Sequence, residues 1–383
     1  MIFRYTEAPS FNSLVYEKML WAAKVKDSQK PKPANFKVRD YSQGIRSPEP
    51  PEHLKLRFHV SRFQIDGRDV HEIAPKPGAT LSGAFAASIL KGASLMGASV
   101  GTAPPIDPCD ADIAAAKSEP FCEDEAGAGE GSPTLLFLHG GSYVINATHP
   151  HWRFLARLVE RTGCRVVAPD YPLAPSHCYA DAYRMLRSLY KALLERQPRP
   201  KIVLIGDSAG GGFALGLAML IRDEGLPPPE TLIMLSPWLD ITMSNPRIAA
   251  IDREDPFLNR EALVKAGESW ARGANPRKPF LSPLYGTFGG LPTMHLFIGT
   301  RDILVADCRR FRDACQAAGA RLAYYEFERM VHDWMLLDFK EAKIAVSQVV
   351  AIIAGIGAEN AETAANSEPA ESASTLAAME ASV

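Results

Sequence analysis

The sequence predicts an α/β protein: a mostly parallel central sheet flanked by helices on both faces. Three observations carry that prediction. Short apolar runs of strand length alternate with stretches of helical periodicity between about residues 134 and 354. Short, mainly apolar strands alternating with helices imply a mostly parallel sheet covered on both faces. The chain has 383 residues, 46% of them hydrophobic, which is enough to bury one large core with elaborations around it.

From the start of the chain, residues 11–25 (FNSLVYEKMLWAAKV) place apolar side chains at helical spacing and predict an amphipathic helix. The Lys/Pro-rich KPKPANF that follows reads as loop. Residues 54–74 predict a hairpin, LKLRFHVSRFQI and RDVHEIAP joined at Asp66-Gly67, where Gly accepts the positive φ of a tight turn. Residues 79–100, rich in Ala, Gly, Ser and Leu, read as a small-residue helix or packing loop, and 102–133 as exposed loop. Strands are predicted at 134–138, 165–169, 201–205, 231–236, 293–298 and 321–327. Helices fill the gaps near 150–162, 179–195, 209–223, 304–318 and 338–354. From residue 357 the chain is AENAETAANSEPAESASTLAAMEASV, with almost no bulky apolar residue to fold around, and is expected to be disordered.

Charge and cysteine usage exclude several classes. The formal net charge is −2, from 42 basic and 44 acidic residues, and no basic cluster points to nucleic acid. Cys109, Cys122, Cys164, Cys178, Cys308 and Cys315 include no CxxC pair and do not read as a disulfide framework. Arg4 and Glu7 fall where a signal peptide would have its apolar core, and no apolar run is long enough to span a bilayer. A soluble cytoplasmic protein without stable membrane insertion is expected. Its oligomeric state is not legible in the sequence.

In sheets of this kind chemistry gathers at the carboxyl ends of the strands. The sharpest motif lies there. Gly206-Asp207-Ser208-Ala209-Gly210, between the strand KIVLI and a helix, matches the G-x-S-x-G nucleophile elbow. Glycines are needed because side chains two residues either side of the serine would collide with neighbouring backbone. The helix that follows aims free N–H groups at the place where an oxyanion develops. No Gly-Lys-Ser/Thr follows, so this is not a phosphate loop, and the spacing is not that of a dinucleotide site.

A serine hydroxyl needs a base, and the base needs an orienting acid, in the chain order Ser, Asp or Glu, His. Of nine histidines only His295 and His332 follow Ser208. His295 sits inside the apolar strand TMHLFI, whereas His332 lies in the loop after RLAYYEF and is the better base. Asp302, in GTRDIL just beyond a strand, is the expected acid. Asp307, Asp333 and Asp338 are alternatives that fall in a helix or beside the histidine. Ahead of the nucleophile, LLFLHGGSYV delivers His139-Gly140-Gly141-Ser142 to the same edge. Backbone N–H groups there, with that of Ala209, are expected to form the oxyanion hole. His139 reads as a structural hydrogen-bonder.

These motifs resemble a known family. HGGSYV, DYPLAP (170–175), GDSAGG (206–211), LSPWLDIT (235–242), GTRDIL and MVHDWM are similar to the hormone-sensitive-lipase branch of esterases and lipases, over about residues 54–355. The resemblance implies the α/β-hydrolase fold, with Ser208, Asp302 and His332 as triad. It places Gly140, Gly141 and Ala209 around the oxyanion hole and makes Asp207 the usual Asp before the serine. Three departures stand out. Ser142 replaces a frequent third glycine, Pro172 and Ser176 replace a frequent Arg and Glu, and residues 78–132 form an insertion with no counterpart.

The resemblance further implies a helical cap from an N-terminal segment, residues 1–53, and an excursion near 243–285. The catalytic domain would then span 54–356 and the tail 357–383. Phe11, Leu14, Val15, Met19 and Trp21 in the first cap segment, with Phe257, Leu258, Trp270 and Phe280 in the second, are candidate pocket-lining residues. The expected activity is hydrolysis of a small to medium apolar carboxylic ester through an acyl-enzyme, without cofactor. No metal is expected, because HExxH is absent and His149-x-His151 has no obvious third ligand. The same triad would also serve a lactone or amide hydrolase or an acyltransferase. A non-catalytic binding protein on this fold would lack the working histidine, which is present here.

Overall fold

The computed structural model describes residues 1–23, 25–28, 49–76 and 132–365; the insertion at 78–131 and the tail beyond 365 lie outside the described residues. Among the described residues nine strands form one sheet. They are β1 (Ile2–Tyr5), β2 (Phe58–Ile65), β3 (Arg68–Pro75), β4 (Thr134–Leu138), β5 (Arg165–Pro169), β6 (Ile202–Asp207), β7 (Thr231–Leu235), β8 (Thr293–Gly299) and β9 (Leu322–Phe327). The spatial order is β1-β9-β8-β7-β6-β4-β5-β3-β2. Only the β2–β3 and β3–β5 pairs are antiparallel; the rest are parallel. The mostly parallel sheet expected from the sequence is therefore what the chain adopts.

The helices are α1 (Phe11–Ala22), α2 (Val25–Ser28), α3 (Glu52–Arg57), α4 (His149–Thr162), α5 (Tyr179–Glu195), α6 (Ala209–Asp223), α7 (Ile248–Ile251), α8 (Arg260–Ala271), α9 (Val305–Ala317) and α10 (Lys340–Ala365). Strand residues alternate between two cores because successive side chains point to opposite faces. Leu136, Leu138, Leu204 and Met234 meet Leu186, Phe213 and Phe311 of α5, α6 and α9. Leu135, Phe137, Val203 and Ile205 meet Trp152 and Leu155 of α4 and Val346 and Val349 of α10. Truncating one of these fully buried leucines to alanine costs about 2–5 kcal/mol, so the sheet is a firm platform for whatever its ends carry.

Three elements differ from expectation. The first residues are not cap: β1 pairs with β9 at the sheet edge, with Phe3 stacked on Tyr325 and Tyr5 on Phe327. Residues 54–57 are helical, because Pro51 opens a short turn that buries Leu54 before the hairpin begins at Phe58. The last helix continues to Ala365, past the boundary at 357, where Ala and Glu favour helix even without apolar side chains to bury.

The 1–53 segment and the 243–285 excursion both reach the loops at the carboxyl ends of β8 and β9. Glu17 of α1 contacts Arg301 and Arg329, while Asp255 accepts the Ile303 amide at 2.9 Å and the Phe257 ring lies 5.8 Å from that of His332.

Candidate active site

The nucleophile candidate stands at the end of β6. Ser208 has φ 52 and ψ −122, a strained backbone for a non-glycine residue. The strain is held by hydrogen bonds on every side. The Ser208 amide donates to Leu235 O at 2.8 Å, and Ser208 O accepts from Gly211, Gly212 and Trp238 at 3.1, 3.2 and 2.8 Å. The flanking glycines are required by close approach. A Cβ at Gly206 would lie 2.3 Å from Gly210 O, and one at Gly210 would lie 2.0 Å from Leu138 O. The elbow thus lifts the hydroxyl out of the sheet end and leaves room for nothing larger around it.

Asp302 follows β8 and His332 follows β9, neighbouring strands in the sheet. His332 Nδ1 is 2.7 Å from Asp302 Oδ2, and its Nε2 is 2.9 Å from Ser208 Oγ. All three are buried, Asp302 completely. The other Asp302 oxygen accepts the Leu304 amide at 2.9 Å, which fixes the carboxylate. Burial disfavours a charged His332 ring, but the carboxylates of Asp333 and Asp302 outweigh it and raise its pKa well above the usual value. Of the alternative acids, Asp307 binds Asn245 at 2.8 Å, Asp338 pairs with Lys343, and Asp333 lies on the nitrogen that faces the serine.

The HGG segment after β4 is shaped by its own backbone. Gly141 has φ 116, and a Cβ there would meet Ile145 O at 2.2 Å. Ser142 and Tyr143 follow in the left-handed region, at φ 54 and 61. The missing third glycine therefore does not prevent the turn. Gly141 O accepts from Val144 and Ile145 and closes it. Gly140 behaves differently from the sequence-based expectation. Its amide donates to Asp207 Oδ1 at 3.0 Å, so it is committed to a side chain rather than pointed at a vacant position. Among the described residues, the amides of Gly141, Ser142 and Ala209 have no hydrogen-bond acceptor.

Behind this loop lies a buried polar network. The Tyr171 hydroxyl donates to His139 O at 2.6 Å, and its ring stacks on that of His139. Burial pushes His139 down to about 4, which keeps it neutral and suits a structural role. Asp207 is completely buried. Burial favours its neutral form, but His151, whose Nε2 lies 3.2 Å from Oδ2, holds its pKa below the usual range. His151 is the residue that sequence reasoning missed. The His-x-His spacing suggested only a metal pair, whereas its place near the start of α4 aims it at Asp207. Among the described residues no cluster of His, Cys, Asp or Glu could hold a metal ion.

The proposed lining residues divide. Phe257 faces His332, and Trp270 is buried in a parallel stack on Tyr143, ring centroids 4.4 Å apart, bracing the HGG turn. Leu258 is buried, and Phe280 packs on Tyr183. Phe11, Val15, Met19 and Trp21 of α1 are exposed.

Residues 135–336 match the sequence profile of a family described as alpha/beta hydrolase fold. An esterase of Acinetobacter venetianus is 30% identical over 231 residues, 59% of this chain and 76% of that protein. An acetyl-hydrolase of Streptomyces hygroscopicus is 31% identical over 202 residues, 52% of this chain and 68% of its own. Among solved structures, that of EstE5 soaked with ethyl alcohol superposes with a TM-score of 0.67 at 21% identity, covering 91% of this chain and 100% of that one. An esterase from the bacterial hormone-sensitive lipase family gives 0.65 at 23% identity, over 91% and 98%. The last two likenesses bear on the fold.

Proposed function

The chain belongs to the alpha/beta hydrolase fold family, and on that premise we propose that it hydrolyses carboxylic esters through an acyl-enzyme formed on Ser208. The observation that carries the reading is the unbroken contact chain Asp302–His332–Ser208, with separations of 2.7 and 2.9 Å. Ser208 Oγ attacks the ester carbonyl as His332 Nε2 takes its proton, and Asp302 holds the ring and stabilises the imidazolium. The carbonyl oxygen becomes negative and is received by the free amides of Gly141, Ser142 and Ala209. Three preorganised donors around the buried Ser208 stabilise it without reorganising. His332 then protonates the departing alcohol, activates a water, and the acid product leaves.

The names of the relatives, an esterase and an acetyl-hydrolase, favour an oxygen ester with a short acyl group. Phe257, beside His332, presents apolar surface at the reacting atoms and fits a small to medium apolar substrate rather than a charged one. A series of p-nitrophenyl esters of increasing acyl length tests the reading. A maximum of kcat/KM at short to medium length is expected, with free acid and alcohol as products. Turnover only when an alcohol acceptor replaces water would overturn hydrolysis in favour of acyl transfer.

A further inference from the structure

We propose that α1 positions the catalytic machinery electrostatically: its Glu17 carboxylate clasps the loop bearing Asp302 to the loop bearing His332. The inference rests on the triad assignment above. Glu17 Oε1 pairs with Arg301 Nη1, and Oε2 lies 3.4 Å from Arg329 Nη2. Arg301 immediately precedes Asp302, and Arg329 stands three residues before His332. One carboxylate therefore joins the chain segments on which the acid and the base are mounted.

The two loops need such a partner. Arg301 and Arg329 bring like charges together at the ends of neighbouring strands. Burial and the proximity of Arg329 both lower the pKa of Arg301. Their backbones are laced as well: the Arg301 amide donates to Met330 O at 3.1 Å, and the Arg329 amide to Thr300 Oγ1 at 2.8 Å. Glu17 adds a side-chain tie between the same two segments. Glu17 is nearly buried while Arg301 and Arg329 keep 17% and 39% of their side chains exposed, so removing the carboxylate leaves two partly screened like charges facing each other.

The way α1 docks supports the same role. A core-facing helix turns its apolar stripe inward. Here the buried residues are Ser13, Glu17 and Leu20, while Phe11, Val15 and Met19 face outward. Ser10 Oγ donates to Glu341 Oε2 at 2.7 Å, and the Tyr16 and Phe339 rings are 6.3 Å apart, which seats the helix against the start of α10. The helix is thus attached by polar contacts as well as by Leu20 and Tyr16, with Glu17 aimed at the two loops.

The test compares wild type, Glu17→Gln, Glu17→Asp and the double variant Glu17→Gln/Arg329→Gln. Steady-state hydrolysis of p-nitrophenyl acetate and the rate of Ser208 labelling by a fluorophosphonate are read, with folding checked by circular dichroism. Glu17→Gln is expected to lower kcat and labelling rate by about tenfold to a hundredfold, the scale of a small misplacement of reacting groups, with KM little changed. The double variant should recover part of the loss, because one of the repelling charges is gone. Three results would overturn the proposal: Glu17→Gln equal to wild type, a loss confined to KM, or a double variant no better than the single one. Should Glu17→Gln fail to fold, Glu17→Asp, whose shorter arm cannot reach both guanidinium groups, is expected to show a smaller loss of kcat and labelling rate, and equality with wild type would overturn the proposal. Failure of the triad reading would be seen separately, as wild-type protein left unlabelled at Ser208.

Discussion

Asp333 places Oδ2 3.1 Å from Nε2 of His332, the same nitrogen that faces the Ser208 hydroxyl. A neutral ring with its proton on Nδ1 has nothing to donate to that carboxylate. The contact becomes favourable when the ring is an imidazolium, the state formed in each half of the proposed reaction. Burial raises the Asp333 pKa above the usual carboxylate range, against the opposing pull of His332.

The sign of its effect on the pH profile follows. In the proposed mechanism the free enzyme is active when His332 is neutral, so kcat/KM is expected to rise as pH climbs through the pKa of that ring. Asp333 and Asp302 raise this pKa well above its usual value. Asp333→Asn removes one of the two charges and is expected to move the acidic limb to lower pH. A profile of kcat/KM from pH 5 to 9 for both proteins checks this, and an unmoved limb would show that Asp333 does not act on the base.

Gly141→Ala addresses the proposed oxyanion hole. A methyl group there meets Ile145 O at 2.2 Å and must adopt φ 116, so the turn carrying the Gly141 and Ser142 amides shifts. A fall of roughly a hundred-fold in kcat is expected, the scale of losing one oxyanion donor. The measurement is kcat on a short ester, with retained circular dichroism showing that the sheet is intact.

Acid stability is set in part by two histidines held neutral, His139 fully buried and His295 partly buried in β8. Burial pushes His295 down to about 4 and His139 likewise to about 4. Their folded pKa values lie below the ordinary value near 6.5, so the unfolded chain binds protons first as pH falls. The resulting stability is fully present above about pH 6.5 and is lost as pH falls from there through about 4. His295→Gln, remote from Ser208, is expected to flatten the dependence of Tm on pH in that window. Thermal melts at pH 7, 6 and 5 would show it.

The parts legible in the sequence are those whose physics is local. GDSAGG reveals its turn because only glycines fit between β6, α6 and the end of β4, and Asp302 and His332 each follow an apolar strand. Contacts set by the fold were not legible. The Gly140 amide is taken by a carboxylate 67 residues away, and Glu17 meets Arg301 across 284 residues. His151 was readable as a polar residue in an apolar helix face, but nothing local says that Asp207 is its partner. Ile2–Tyr5 is a strand of only four residues, recognisable once β9 offers its edge. The α1 stripe shows the limit of periodicity: spacing identified the helix, while a buried Glu17 and exposed Phe11 and Met19 reversed the face expected to turn inward.

The central claim is that Ser208 is the nucleophile, and covalent trapping tests it most directly. Wild-type protein treated with a fluorophosphonate, digested and examined by mass spectrometry, is expected to carry one adduct, on the peptide containing Ser208. Ser208→Ala should take up none and lose ester hydrolysis by at least about a thousand-fold. An adduct on another residue, or a Ser208→Ala variant that hydrolyses esters at the wild-type rate, would contradict the account.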